Sequence, residues 1–296
     1  MRIYTYVGAL AVLLWGAALP LIRLACEEAG VLSTLMVAQG LAGGLGAIVL
    51  AVSGRLPQSL SIYLSPAFLL RLTLFVSHVM CIYAAVQLVE TRAMPGVIFC
   101  NYLWPTLALL YAVRLTSVRI PRPKLFALGI GVTALALTLE FGQSMLIFAS
   151  SGNNGVAFFI AIAGANAWGL YSAVTRRWGE VSGGSAVTPL FLLTCGGIAA
   201  LLNWLAVTPS VGTSAFQVTP VALAVGIINF IAYLCWDIGI RKGDAISLTL
   251  LSDFIPCLSL AAVSLLLQIS IGSSTVISAI VLVGGAVITR LATSRF

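Results

Sequence analysis

Apolar residues run along this chain in ten stretches divided by short polar connectors. The stretches are Tyr4 to Ala25, Val31 to Val52, Pro66 to Val89, Met94 to Leu115, Lys124 to Glu140, Asn154 to Thr175, Ser185 to Val207, Thr219 to Ile240, Ala245 to Gln268 and Ser273 to Ala292. Each approaches the roughly 20 residues that carry an α-helix across a bilayer. None shows the regular ten-residue alternation of outer-membrane strands, and in lipid a helix satisfies its own backbone amides. The pattern therefore predicts an all-α integral membrane chain of ten transmembrane helices, with no connector long enough for a soluble domain. The first run is too long for a signal peptide and no small-x-small cleavage site follows it. Arg23 also spoils a lipoprotein reading of Leu24-Ala25-Cys26.

Composition agrees with the pattern. Of 296 residues, 60% are hydrophobic and 8% charged, far below the roughly 25% charge of soluble domains. The six cysteines have no metal or redox spacing and are expected as small buried hydrophobes. A net charge of +7 would suggest nucleic acid in a soluble protein, but here its placement gives topology. With alternating ends, 13 of the 15 Lys and Arg residues fall on one side, and only Arg23 and Arg92 fall opposite. That asymmetry predicts that both termini are cytoplasmic.

Two motifs recur. Trp15-Gly16 and Arg23 are answered by Trp168-Gly169 and Arg176 at an offset of 153, and Asn101 to Pro105 (NYLWP) by Ser252 to Pro256 (SDFIP) at an offset of 151. Five spans lie between the copies, so residues 1–148 and 149–296 are expected to be two five-helix repeats of opposite orientation. Inversion accounts for Arg23, whose counterpart Arg176 ends its helix on the other side.

Polar residues inside such runs normally face the bundle interior or a water-filled path. Asn229, Tyr233, Trp236, Asp237 and Ile240 share one face of the eighth span, and Trp168, Tyr171, Ser172 and Thr175 one face of the sixth. The third span carries the single histidine, His78, with Tyr83 further along. Each has a structural alternative: His78 as an interhelical hydrogen-bonding group, Asp237 in an i, i+4 pair with Arg241, and terminal aromatic residues as an interfacial belt. Asp253 needs water, a partner or a proton. Pro105 and Pro256 are expected to kink their helices and to release the carbonyls of Asn101 and Ser252. No zinc-protease, nucleophile-elbow or Walker motif is present, so the sequence predicts neither an enzyme nor a bound cofactor or metal.

These residues resemble the EamA-like branch of the drug/metabolite transporter superfamily along the whole chain. Val97 to Leu107, Ala167 to Trp178 and Tyr233 to Pro256 are similar to the YddG-type family of aromatic amino-acid exporters. The resemblance implies a central cavity built from the third, fourth, sixth, eighth and ninth spans, with the first, second and seventh beside it. Tyr83, Trp104, Trp168, Tyr171 and Trp236 would stack on an aromatic substrate. His78, Asn101, Asn229 and Ser252 would bond its zwitterionic ends; His78, Asp237 and Asp253 are the candidates for coupling protons or charge, and simply downhill transport is the alternative. The expected partners are a small-molecule substrate and the lipid bilayer, with no nucleic acid and a monomer sufficient for function. Other readings are a drug or metabolite exporter and a membrane-embedded lipid-handling enzyme.

Overall fold

The computed structural model describes residues 2–55, 60–63, 65–115, 119–150, 152–178, 184–206 and 216–293. These form α1 (Arg2–Ala29), α2 (Val31–Val52), α3 (Leu60–Tyr63), α4 (Pro66–Leu88), α5 (Met94–Asn101), α6 (Trp104–Leu115), α7 (Pro123–Ser150), α8 (Gly152–Trp178), α9 (Thr188–Ala206), α10 (Pro220–Lys242), α11 (Ala245–Ser252), α12 (Ile255–Leu266) and α13 (Ser273–Leu291). The described residues contain no strand. Counting Thr91–Leu115 as one span, 9 helices among the described residues are long and apolar enough to cross a membrane, and Ile255–Leu266 is a shorter apolar one.

Local chemistry explains the boundaries. Ser65 caps α4 and Thr219 caps α10, each accepting a bond at 3.2 Å from the amide three residues on, and each is followed by a proline in the first turn. Proline costs nothing there, because that amide has no intrahelical partner. The connector expected between Glu140 and Asn154 is helical over its described residues, since α7 continues to Ser150 and α8 begins at Gly152. The only local marker of the boundary is the Ser150 to Gly155 cluster of Ser, Gly and Asn, because charge is almost absent there. Most of the expected connector from Thr208 to Val218, with Val207 before it, lies outside the described residues.

The fourth and ninth runs are not continuous helices. Each is divided by a two-residue turn, Tyr102-Leu103 and Asp253-Phe254, and proline is the second residue of the new helix. The turns close alike, by Leu103 N–H to Cys100 O at 3.4 Å and Phe254 N–H to Leu251 O at 3.1 Å. The new helices start with Leu107 N–H to Leu103 O at 3.1 Å and Leu258 N–H to Phe254 O at 3.2 Å. A proline that cannot donate to the fourth carbonyl back favours such a restart.

Packing follows a regular scheme: α1 lies along α10, α4 along α8, α2 along α9 and α7 along α13, while α6 meets α8 and α12 meets α1. Glycines allow the closest approaches. A Cβ on Gly16 would lie 2.7 Å from Leu258 Cβ, and one on Gly169 would lie 2.8 Å from Leu107 Cβ. Each Trp-Gly pair thus presses on the leucine two residues after a proline break. In the α7–α13 crossing, a Cβ on Gly129 would lie 2.6 Å from Thr289 N, and one on Gly285 2.7 Å from Thr133 N. Thr133 and Thr289 in turn donate to the carbonyls of Gly129 and Gly285 at 3.0 and 2.7 Å.

Arg23 also has a structural task. Its guanidinium donates to the carbonyls of Val86 and Val89, both at 2.7 Å, and to Glu27 Oε1 at 2.6 Å. It satisfies carbonyls at the C-terminal end of α4 that have no intrahelical donor. Arg177 bonds the Leu115 carbonyl at the end of α6 in the same way.

The α7–α13 crossing gives a direct test. Gly129→Leu or Gly285→Leu should cost about 1–3 kcal/mol by overpacking and lower the melting temperature in detergent by several degrees. Gly131→Ala and Gly284→Ala, where an added Cβ meets nothing within 4 Å, should leave it unchanged.

Candidate functional site

Aromatic side chains from both halves of the chain meet in the middle of this bundle. Trp168 on α8 is the hub: it stacks on Tyr171 at 4.9 Å and 23°, and faces the His78 ring at 4.7 Å. It also touches Phe75 at 5.7 Å and meets Trp104 edge-on at 6.4 Å. Phe75 continues the series to Tyr171 at 5.6 Å, Phe191 at 5.5 Å and Tyr233 at 6.1 Å. Tyr233 meets Trp15 at 5.6 Å, and Trp15 meets Trp236 at 5.3 Å. These separations suit the tilted and edge-to-face arrangements that ring quadrupoles favour.

Local structure sets each position. His78 stands three residues beyond Phe75 on α4, so the two share a face. Its Nδ1–H donates to the Gly164 carbonyl at 3.0 Å. That bond assigns the proton of the neutral ring to Nδ1 and leaves Nε2 as an acceptor. The glycines of the Trp-Gly pairs bring Trp15 and Trp168 into the cluster by letting α1 and α8 press on α12 and α6.

Arg71, one turn before Phe75, is 1% exposed and borders the same cluster. Its guanidinium carbon lies 5.6 Å from the Phe191 ring centre and 5.9 Å from that of Tyr171, and its Nε donates to Thr175 Oγ1 at 3.2 Å. It is a cation inside the bundle, although sequence counting treats it as a topology signal.

Of the residues singled out in the sequence, His78, Trp104, Trp168 and Tyr171 adjoin one another, and Trp236 joins them through Trp15 and Tyr233. Asn229 is buried one turn before Tyr233 on α10. Asp237 follows Trp236 and is half-buried. Tyr83 is buried with its hydroxyl engaged, accepting from Gln39 Nε2 at 2.9 Å. Asn101 and Ser252 end α5 and α11 and are both buried, and Pro105 and Pro256 open the helices that follow. Phe75, Phe191, Arg71 and Gln39 are contributors that sequence reasoning missed. Gln39 carried a signal, as a lone amide in the second apolar run.

Asp253 lies elsewhere. It is 3% exposed in the turn between α11 and α12, and Arg290 Nη2 of α13 donates to its Oδ1 at 2.7 Å. A cavity of about 30 Å³, roughly one water in volume, lies beside it between α6 and α13, lined by Pro105, Thr106, Leu109, Ala286, Thr289 and Arg290. Asp253 therefore ties the ninth span's break to α13. Among the described residues no group of three or more His, Cys, Asp or Glu forms a metal cluster.

No protein-family model matches the chain. A curated protein named aromatic amino acid exporter YddG from Escherichia coli (strain K12) is 27% identical over 297 residues, covering 98% of each chain. The protein of that name from Salmonella typhimurium is 26% identical, again over 98% of each chain. A third, from Ancylobacter novellus, is 31% identical over 201 residues, 66% of each chain. A solved crystal structure with 24% sequence identity covers 97% of each chain at a TM-score of 0.66, so the fold is shared.

The ion pair yields a prediction. Arg290→Met strands a buried carboxylate, and should cost about 3 kcal/mol, the low end for a broken buried pair, because the arginine side chain is 21% exposed. Thermal unfolding should show Asp253→Asn combined with Arg290→Met recovering most of that loss.

Proposed function

The chain is a relative of the YddG exporters along its whole length, and from that premise we propose that it exports aromatic and other neutral amino acids across the bacterial inner membrane by alternating access. Its ten spans form two inverted repeats, 1–148 and 149–296, with both termini cytoplasmic, and a single chain suffices. It has no catalytic step of its own.

The observation that carries this reading is the aromatic series running from Trp104 through Trp168, Phe75 and Tyr233 to Trp15 and Trp236. Its members come from helices of both halves, so a substrate ring inserted among them contacts both halves at once. Matched proline breaks, matched Trp-Gly contacts and matched helix pairs support the repeat. Two halves that exchange conformations about a common axis would share such features. Trp104, Trp168, Tyr171 and Trp236 offer ring faces. His78 Nε2, Asn101, Asn229 and Ser252 offer polar groups for the charged ends, with Tyr83 beside them.

Specificity should be broad and weak. A ring pair adds about 0.5–1.5 kcal/mol, equivalent to roughly twofold to tenfold in affinity. Such a site distinguishes aromatic from small side chains without strongly preferring one aromatic residue. Coupling through His78, Asp237 or Asp253 is not needed for downhill export. Asp253 has one carboxylate oxygen bound by Arg290 and the other buried without a partner among the described residues.

Export of labelled phenylalanine from proteoliposomes, assayed with and without a pH gradient, tests the reading. Trp168→Ala should lower kcat/KM roughly tenfold, while Trp204→Ala, whose side chain is 71% exposed, should have no effect. Equal rates for Trp168→Ala and the parent protein would remove the aromatic series from the site. Preferential movement of cationic dyes over amino acids would favour a drug exporter.

A further inference from the structure

Gln39 is the residue least explained by packing alone. It lies on α2, is 2% exposed, and is held by its Nε2–H donating to the Tyr83 hydroxyl at 2.9 Å. Its other polar atom, Oε1, is buried and has no hydrogen-bond partner among the described residues. A buried amide oxygen without a donor is uncommon, because it has lost water and gained nothing in exchange. The Tyr83 bond fixes the amide plane and leaves this oxygen open.

Its surroundings indicate what would fill the gap. The Gln39–Tyr83 bond joins α2 to α4, and α2 packs against α10, which carries Tyr233, the link between Phe75 and Trp15 in the aromatic series. Oε1 is therefore an unpaired acceptor on a helix that adjoins the aromatic series. A cation gains from both, since aromatic faces attract it and an amide oxygen accepts its hydrogen bonds. A neutral acceptor also avoids the desolvation of a buried carboxylate when the site is empty. An anion meets the oxygen's lone pairs and is repelled.

We propose that Gln39 is the ammonium-reading residue of the site: Oε1 accepts a hydrogen bond from the primary ammonium group of an arylalkylamine or aromatic amino acid whose ring lies among Trp168, Trp104 and Phe75. The substrate class rests on the export reading, whereas the contact with an ammonium group does not. Tyr83 then acts as a positioning residue, orienting the amide instead of stacking on the substrate. Gln39 thereby selects for amines over the corresponding acids.

The test uses the full chain in detergent, with tryptophan fluorescence reporting binding of phenethylamine and of 3-phenylpropionate, alongside phenylalanine transport in liposomes. Gln39→Leu and Gln39→Met remove the acceptor with little change in bulk, and Gln39→Glu retains one. Either apolar variant should weaken phenethylamine binding and raise the phenylalanine KM by about tenfold or more, the size of a lost charge-assisted hydrogen bond. Binding of 3-phenylpropionate should not weaken, and Gln39→Glu should keep amine binding within about threefold of the parent. Two apolar variants guard against one that fails to fold. Equal weakening of amine and acid would reduce Gln39 to a packing role and overturn the proposal. Weakening of the acid alone would overturn it too, by showing that the amide presents its NH2 group. A parent protein that binds phenethylamine through Gln39 yet exports no phenylalanine would sink the export reading and leave this contact standing.

Discussion

The architecture depends on two close approaches between a glycine and a broken helix. In lipid a backbone amide has no water to turn to, so a proline in mid-span is tolerable only where neighbours hold the broken ends in place. Gly169 presses α8 onto Leu107, just past the first break, and Gly16 presses α1 onto Leu258, just past the second. A side chain at either position would lie under 3 Å from its leucine and force the helices apart. The tryptophan before each glycine is then committed to the bundle's centre. Trp168 reaches His78 and Phe75 on α4, and Trp15 reaches Tyr233 and Trp236 on α10. One contact thus positions a backbone break and half of an aromatic cluster together.

The two breaks share a geometry but not a chemistry. At the first, Tyr102 sends its hydroxyl to Ser259 Oγ on α12 at 3.2 Å, a neutral contact between the two broken spans. At the second, Asp253 is bound to Arg290 on α13 by a charged contact at 2.7 Å. Breaking a neutral hydroxyl pair costs less than stranding a buried charge. The first break is accordingly held by the weaker of the two contacts, and the second is tied to α13. An asymmetry of this kind is what the proposed exchange of conformations between two halves would use.

Much of this was legible in the sequence, because the bilayer imposes simple rules. Span positions followed from apolar length, and the Trp-Gly and Pro motifs stood out because few residues are costly in oil. The same rule marked His78, Asn229 and Asp253. Other features were hidden for definite reasons. The breaks look like kinks in sequence, since proline announces a lost hydrogen bond but not whether the chain bends or restarts. Arg71 falls among the charges that set topology, and only its contact with Phe191 and Tyr171 separates it from them. Phe75 is unremarkable in an apolar run, and its role comes entirely from its neighbours. Gln39 was visible as a polar residue in mid-span, in a helix whose crowd of glycines points to close packing. The threonine–glycine exchange of the α7–α13 crossing has a spacing too ordinary to notice without the helix pair.

The central claim is that a substrate ring enters the aromatic series and is released on the opposite side after the two halves exchange shapes. Counterflow measures this most directly: liposomes holding the purified chain are loaded with unlabelled phenylalanine and placed in a trace of labelled phenylalanine, with no ion gradient. The account predicts transient accumulation of label above its equilibrium level, abolished when tryptophan competes outside. Label that only drifts to equilibrium, whatever the liposomes contain, would contradict it.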